Sequence, residues 1–97
     1  MNAIKVPVIT NDNYVVYFEN YDGFTFVHCD CFGWSKTIKN SLKEDWERLV
    51  KIHRRNIYAL HEIADHKHLK FLNLFGFVFH AVLPMKDGSE KHLYVRT

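Results

Sequence analysis

The stretch from Asn56 to Arg96 constrains the fold more than any other part of the chain. Residues 56–62 read as a strand, residues 65–75 as a helix, and Gly76-Phe77 as the stop of that helix. Two more strand-like runs, residues 77–83 and 91–96, are joined through Lys86-Asp87-Gly88-Ser89, the composition of a hairpin turn. In the first strand Ile57, Ala59 and Ile63 alternate with Tyr58 and Leu60, so both faces are apolar, which suits a strand buried in a β-α-β crossover. In the helix, Leu69, Leu72 and Phe75 share one side, Phe71 and Leu74 widen it, and Asp65 stands at the capping position.

Upstream, residues 3–9 alternate around Pro7, as an edge strand or an irregular lead-in does. Thr10-Asn11-Asp12-Asn13 is a turn cluster. Residues 14–19 and 24–32 are rich in Val, Tyr, Phe and Thr, and the Asn20-Tyr21-Asp22-Gly23 between them marks a hairpin, with Gly23 free to take positive φ. Gly33-Trp34-Ser35 breaks that pattern, and Ser35 caps a helix over residues 36–53 whose apolar stripe is Ile38, Leu42, Trp46, Leu49 and Val50. Glu44 and Arg48 make a favourable i,i+4 pair, and Arg54-Arg55 places cations at the negative end of the helix dipole. The order β-β-β-α-β-α-β-β predicts a single α/β domain with a mixed sheet of five to six strands and two helices.

The bulk numbers agree. Ninety-seven residues make one domain, and 47% hydrophobic with 15% aromatic residues is ample for a folded core. A formal charge of +2 does not imply nucleic-acid binding, but seven histidines predict pH-sensitive solubility. Cys29 and Cys31 sit two positions apart, where a disulfide is strained, so free thiols in a reducing cytoplasm are expected. No apolar run reaches the roughly 20 residues of a membrane span, and the N-terminus lacks the pattern of a signal peptide.

This order resembles the C-terminal two thirds of the GCN5-related N-acetyltransferase (GNAT) fold, over residues 24–95, and within it a degenerate bacteriophage branch, the internal virion or head-morphogenesis proteins of short-tailed phages. The most specific piece is His66-Lys67-His68-Leu69-Lys70-Phe71-Leu72-Asn73-Leu74-Phe75-Gly76-Phe77-Val78-Phe79-His80, similar to the family's late helix with its Phe and closing Gly-Phe. The resemblance implies the two helices on opposite faces of the sheet, with two strands splayed to admit a pantetheine arm.

The departures weigh against the chemistry. Asp65 stands where the family usually has Asn, and His68 where it usually has Ala. Leu72 stands at the Tyr position that, in many relatives, protonates the departing thiolate, and a leucine has no proton to give. The family's phosphate loop maps onto Cys31-Phe32-Gly33-Trp34-Ser35-Lys36, which has one glycine and two bulky aromatics. The N-terminal helices that form the acceptor side have no counterpart in the chain.

Four groups carry candidate chemistry, each with a plain alternative. Trp34, Ser35, Lys36 and Lys39, with Lys43 beyond, suit a remnant coenzyme A or other phosphate site at a helix N-terminus; the alternative is a solvated basic face. His28-Cys29-Asp30-Cys31 has metal-binding residue types, but a zinc site needs four convergent ligands, so a core thiol pair is the expectation and no metal site is assigned. His61 and His66 stand five apart, about 140° around a helix, and so do not form the zinc-protease motif. If the chain is an enzyme, its general base comes from His28, Asp30, His61 or Glu62 at the strand ends facing the cleft; the alternative is ordinary polar residues on half-exposed strands.

The expected function is accordingly non-catalytic: a GNAT-like binding or assembly protein working through a protein partner, a phage structural or host protein, in the host cytoplasm or the virion. No cofactor is expected. The competing reading is an N-acetyltransferase using acetyl-coenzyme A through an atypical loop. Nucleic-acid binding through Lys36, Lys39, Lys43, Arg54 and Arg55 lacks a groove-reading motif, no membrane association is expected, and open sheet edges leave self-association as an option.

Overall fold

The computed structural model describes residues 4–97, in the order β1 (Lys5–Thr10), β2 (Tyr14–Tyr21), β3 (Phe24–Cys31), α1 (Lys36–His53), β4 (Ile57–His61), α2 (His66–Leu74), β5 (Val78–Pro84) and β6 (Glu90–Arg96). These six strands and two helices are the mixed α/β order read from the sequence. Ala3, which that reading included in the first strand, lies outside the described residues. By internal packing the chain divides into two compact units, Met1–Arg55 and Asn56–Thr97.

In the first unit β1, β2 and β3 form an antiparallel run in chain order. The β2–β3 turn is Asp22-Gly23, with φ of 52° and 83°, the pair of positive values a type I′ hairpin requires. The segment around Pro7 does join the strands: β1 pairs with β2, and the register slips between Pro7 and Ile9. A proline is tolerated there because an outer strand with a bulge needs no N–H at that point. Helix α1 starts at Ser35, whose hydroxyl accepts from the Ile38 N–H at 3.1 Å, and ends at Arg54 in a left-handed conformation. Its stripe buries Leu42 and Trp46 and half-buries Ile38, Leu49 and Val50. Tyr14 and Val16 of β2 are the strand side of this core.

In the second unit β6 lies between β4 and β5, antiparallel to both. Ile57, Ala59 and His61 of β4 turn their side chains inward, while Leu60 is exposed. The expectation of a strand buried on both faces is therefore corrected: one face is closed and the other is half open, and Ile63 lies exposed beyond the strand. Asp65 caps α2, its carboxylate accepting from the His68 N–H at 3.1 Å. Gly76 follows at φ 82°, and the Phe77 N–H closes back onto the Leu72 carbonyl at 3.0 Å. That left-handed glycine is what lets Phe77 turn inward directly after Phe75.

Candidate functional site

In the second unit a group of histidine side chains comes together. The inward alternation of β4 ends on His61, which is 1% exposed. On α2, His68, Leu72 and Phe75 follow the i, i+4, i+7 spacing of one helix face, so the stripe that buries Leu72 also aims His68 inward. The two rings meet: Nδ1 of His61 lies 2.9 Å from Nδ1 of His68, with centroids 5.1 Å apart and planes 29° from parallel. His92 stands opposite His61 in the β4–β6 register, its ring 6.3 Å away. Tyr94 presents its edge to His61 at 5.5 Å, and Phe79 packs edge-on against both His92 and Tyr94.

Burial lowers the pKa of His61, and the charges that His68 and His92 can carry lower it further; Asp65 and Glu62 oppose this in part. A hydrogen bond between two Nδ1 atoms needs one donor and one acceptor, so the pair is satisfied only while one of these nitrogens is unprotonated. The arrangement can hold a proton between the rings and respond to acid. Among the described residues no group of three or more His, Cys, Asp or Glu side chains is placed to hold a metal ion.

The other sequence-selected residues lie elsewhere. His28 on β3 meets Glu19 on β2, Nε2 to Oε1 at 2.7 Å, a half-buried histidine–carboxylate pair. Asp30 is exposed near the end of β3, and Glu62 is exposed with its carboxylate 3.3 Å from Lys91 Nζ. Of the four candidate bases, His61 thus departs most from the expected half-exposed setting, because its position closes the inward face of β4. His68 entered the sequence argument only as a departure from a motif. Its stripe position, with Leu72 and Phe75, was the signal that it points inward.

The core thiol pair is also corrected. Cys29 is half-buried and Cys31 is exposed, their sulfurs 3.7 Å apart as free thiols. Both share the face of Val16 and Tyr14, but Cys31 is the last residue of β3, where cover runs out. Burial, and next the nearby Cys31, push the Cys29 thiol up to about 12.

Ahead of α1, two polar groups of the loop are engaged locally. The Phe32 N–H bonds the Asn13 carbonyl at 2.8 Å and the Ser35 hydroxyl serves as helix cap. Gly33 has no left-handed φ, and a Cβ there meets only Ile38 Cδ1 at 3.6 Å, ordinary contact. Glycine is therefore not demanded by backbone geometry or by close approach. Phe32 and Trp34 project outward, 66% and 53% exposed, beside an exposed Lys36 and a half-buried Lys39.

No family model matches the chain. It is 27% identical over 90 residues to the forespore membrane adapter protein MUG56 of Schizosaccharomyces pombe, a match covering 93% of this chain and only 9% of that protein. Among solved structures it is similar to the ribosomal-protein-S5-alanine acetyltransferase from Vibrio fischeri, with a TM-score of 0.65 at 15% identity, over 87% of this chain and 53% of that one. At that identity the likeness shows the fold, and the fold is the GNAT-like one that the sequence resembles. Neither of these two proteins is a phage protein. Among the described residues no helix is long and apolar enough to cross a membrane.

Proposed function

We propose that this chain is a binding module on a GNAT-like fold that works through protein contacts rather than acetyl transfer. The observation that carries this reading is the loop before α1, where Phe32 and Trp34 present exposed aromatic surface in place of the glycine-supported N–H groups of a phosphate loop. Leu72 supports it: at the family's acid position it is a core residue, 2% exposed, with no proton to donate. The adapter role of the fission-yeast relative points the same way. Particle building in a short-tailed phage, or contact with its host, is the setting suggested by the sequence resemblance alone.

The competing reading, an acetyl-coenzyme A-dependent N-acetyltransferase, draws on the His28–Glu19 pair, since a carboxylate that orients an imidazole is the usual support for a general base. Calorimetric titration with acetyl-coenzyme A separates the two. No saturable heat is expected, whereas micromolar binding abolished by Lys36→Ala with Lys39→Ala overturns the proposal. A photo-crosslinking side chain at position 34 supplies the positive arm, with a discrete protein adduct expected in the native host and the adduct lost on Phe32→Ala.

A further inference from the structure

The hydrogen bond between His61 and His68 joins β4 to α2. Helix α2 is nine residues long, below the roughly 12–15 residues at which a helix persists by itself in water. Its attachment therefore rests on the side chains it buries. Leu72 and Phe75 supply the apolar part, and His68, through its Nδ1 to the fully buried His61, supplies the polar part.

We propose that the His61–His68 pair is an acid-operated lock on α2: one shared proton between the two Nδ1 atoms holds the helix against β4, and protonation of both rings releases it. With both Nδ1 atoms protonated, two donors face each other at 2.9 Å and two positive charges stack 5.1 Å apart, one of them out of water. No acceptor is then left between the rings.

The surrounding charges do not rescue that state. His92 on β6 adds a third ring of the same sign when protonated, while Tyr94 on β6 and Phe79 on β5 contribute neutral rings. The two nearby carboxylates favour a charged His61 only in part, and each has another partner: Glu62 at the end of β4 pairs with Lys91 of β6, and Asp65 accepts from the His68 N–H as the helix cap. Lys91 itself brings another positive charge to that end of the strands.

The sign follows from His61. Its pKa is lower in the fold than in an opened chain, so the opened state binds the proton more readily. The locking contribution is fully present above about pH 6.5 and is lost as pH falls below that value toward the folded one. Each extra proton taken up on opening raises the opening constant by up to about tenfold per pH unit.

Hydrogen exchange on the full chain at about pH 7.5 and about pH 5.5, corrected for the intrinsic exchange rate, reads this directly. Protection of α2 is expected to fall by up to about tenfold on acidification while that of α1 changes much less. The double variant His61→Leu with His68→Leu is expected to keep α2 protected at the lower pH. His68→Gln, which retains a donor and an acceptor without the charge, provides the same comparison if the double variant does not fold. Two outcomes overturn the lock: equal loss of protection in α1 and α2, or an acid response of α2 that survives His68→Gln, which would assign the effect to His92 or to the chain at large.

Discussion

The Tyr14 hydroxyl donates to the Asp45 carboxylate at 2.6 Å, joining the first residue of β2 to the inner side of α1. Ser41 Oγ lies 2.9 Å from the same oxygen, so a phenol with a fully buried ring has its polar end satisfied twice. Tyr14→Phe keeps the ring and removes both bonds. It is expected to cost about 1.5–3 kcal/mol, the range for a hydrogen bond to a charged partner, measured by urea unfolding at neutral pH. Burial and Asp45 raise the Tyr14 pKa, so its contribution is present below about pH 10 and is lost as pH rises above that value; Tyr14→Phe flattens this alkaline decline.

Gly33 and Gly76 make opposite predictions. Gly33→Ala adds a Cβ in ordinary contact with Ile38 at a φ outside the left-handed region, so stability is expected to stay level or rise by up to about 1 kcal/mol. Gly76→Ala places an alanine at φ 82°, with its Cβ 2.6 Å from Arg96 Nη1. The left-handed backbone alone costs about 1–2 kcal/mol in the same unfolding measurement, and displacing the half-buried Arg96 side chain adds to that cost.

The two thiols separate by reactivity. Cys31 is exposed, whereas the Cys29 thiol is pushed up to about 12 by burial and by its neighbour. Because the thiolate is the nucleophile, limited iodoacetamide treatment near pH 8 is expected to alkylate Cys31 first, as read by peptide mass spectrometry. Cys31→Ser is expected to leave Cys29 slow, since burial is the larger cause of its shift. Rapid alkylation of Cys29 in that variant contradicts the assignment.

The two tryptophans divide between surface and core. Trp34→Ala is expected to change stability by less than about 0.5 kcal/mol, and Trp46→Ala to cost about 3–5 kcal/mol. Acrylamide quenching of the single-tryptophan variants provides a second reading, with Trp34 strongly quenched and Trp46 protected.

Most of the secondary structure was legible because its determinants lie within a few residues of one another. Ser35 caps at Ile38, Asp65 at His68, and Asp22-Gly23 takes the two positive φ values its hairpin needs. The stripe of α1 follows the spacing of a single helix, and the Gly76-Phe77 stop follows from glycine's access to left-handed backbone. The GNAT-like order follows from these local signals in sequence. Apolar strand composition was a poorer guide to burial. Leu60 is as greasy as its neighbours yet exposed, and Cys31 lost its cover because a strand ended.

Long-range pairing and burial were beyond such signals. Alternation along β4 says that His61 shares a face with Ile57 and Ala59, but not that another imidazole will meet it there. The meeting of His61 with His68 depends on where a helix lands on a strand, and Tyr14 finds Asp45 across 31 positions of chain. Capping and turn chemistry are satisfied by neighbours in the chain and are therefore written into short segments. Hydrogen bonds between buried side chains, and the proton affinities they set, exist only once packing has excluded water and placed both partners within reach.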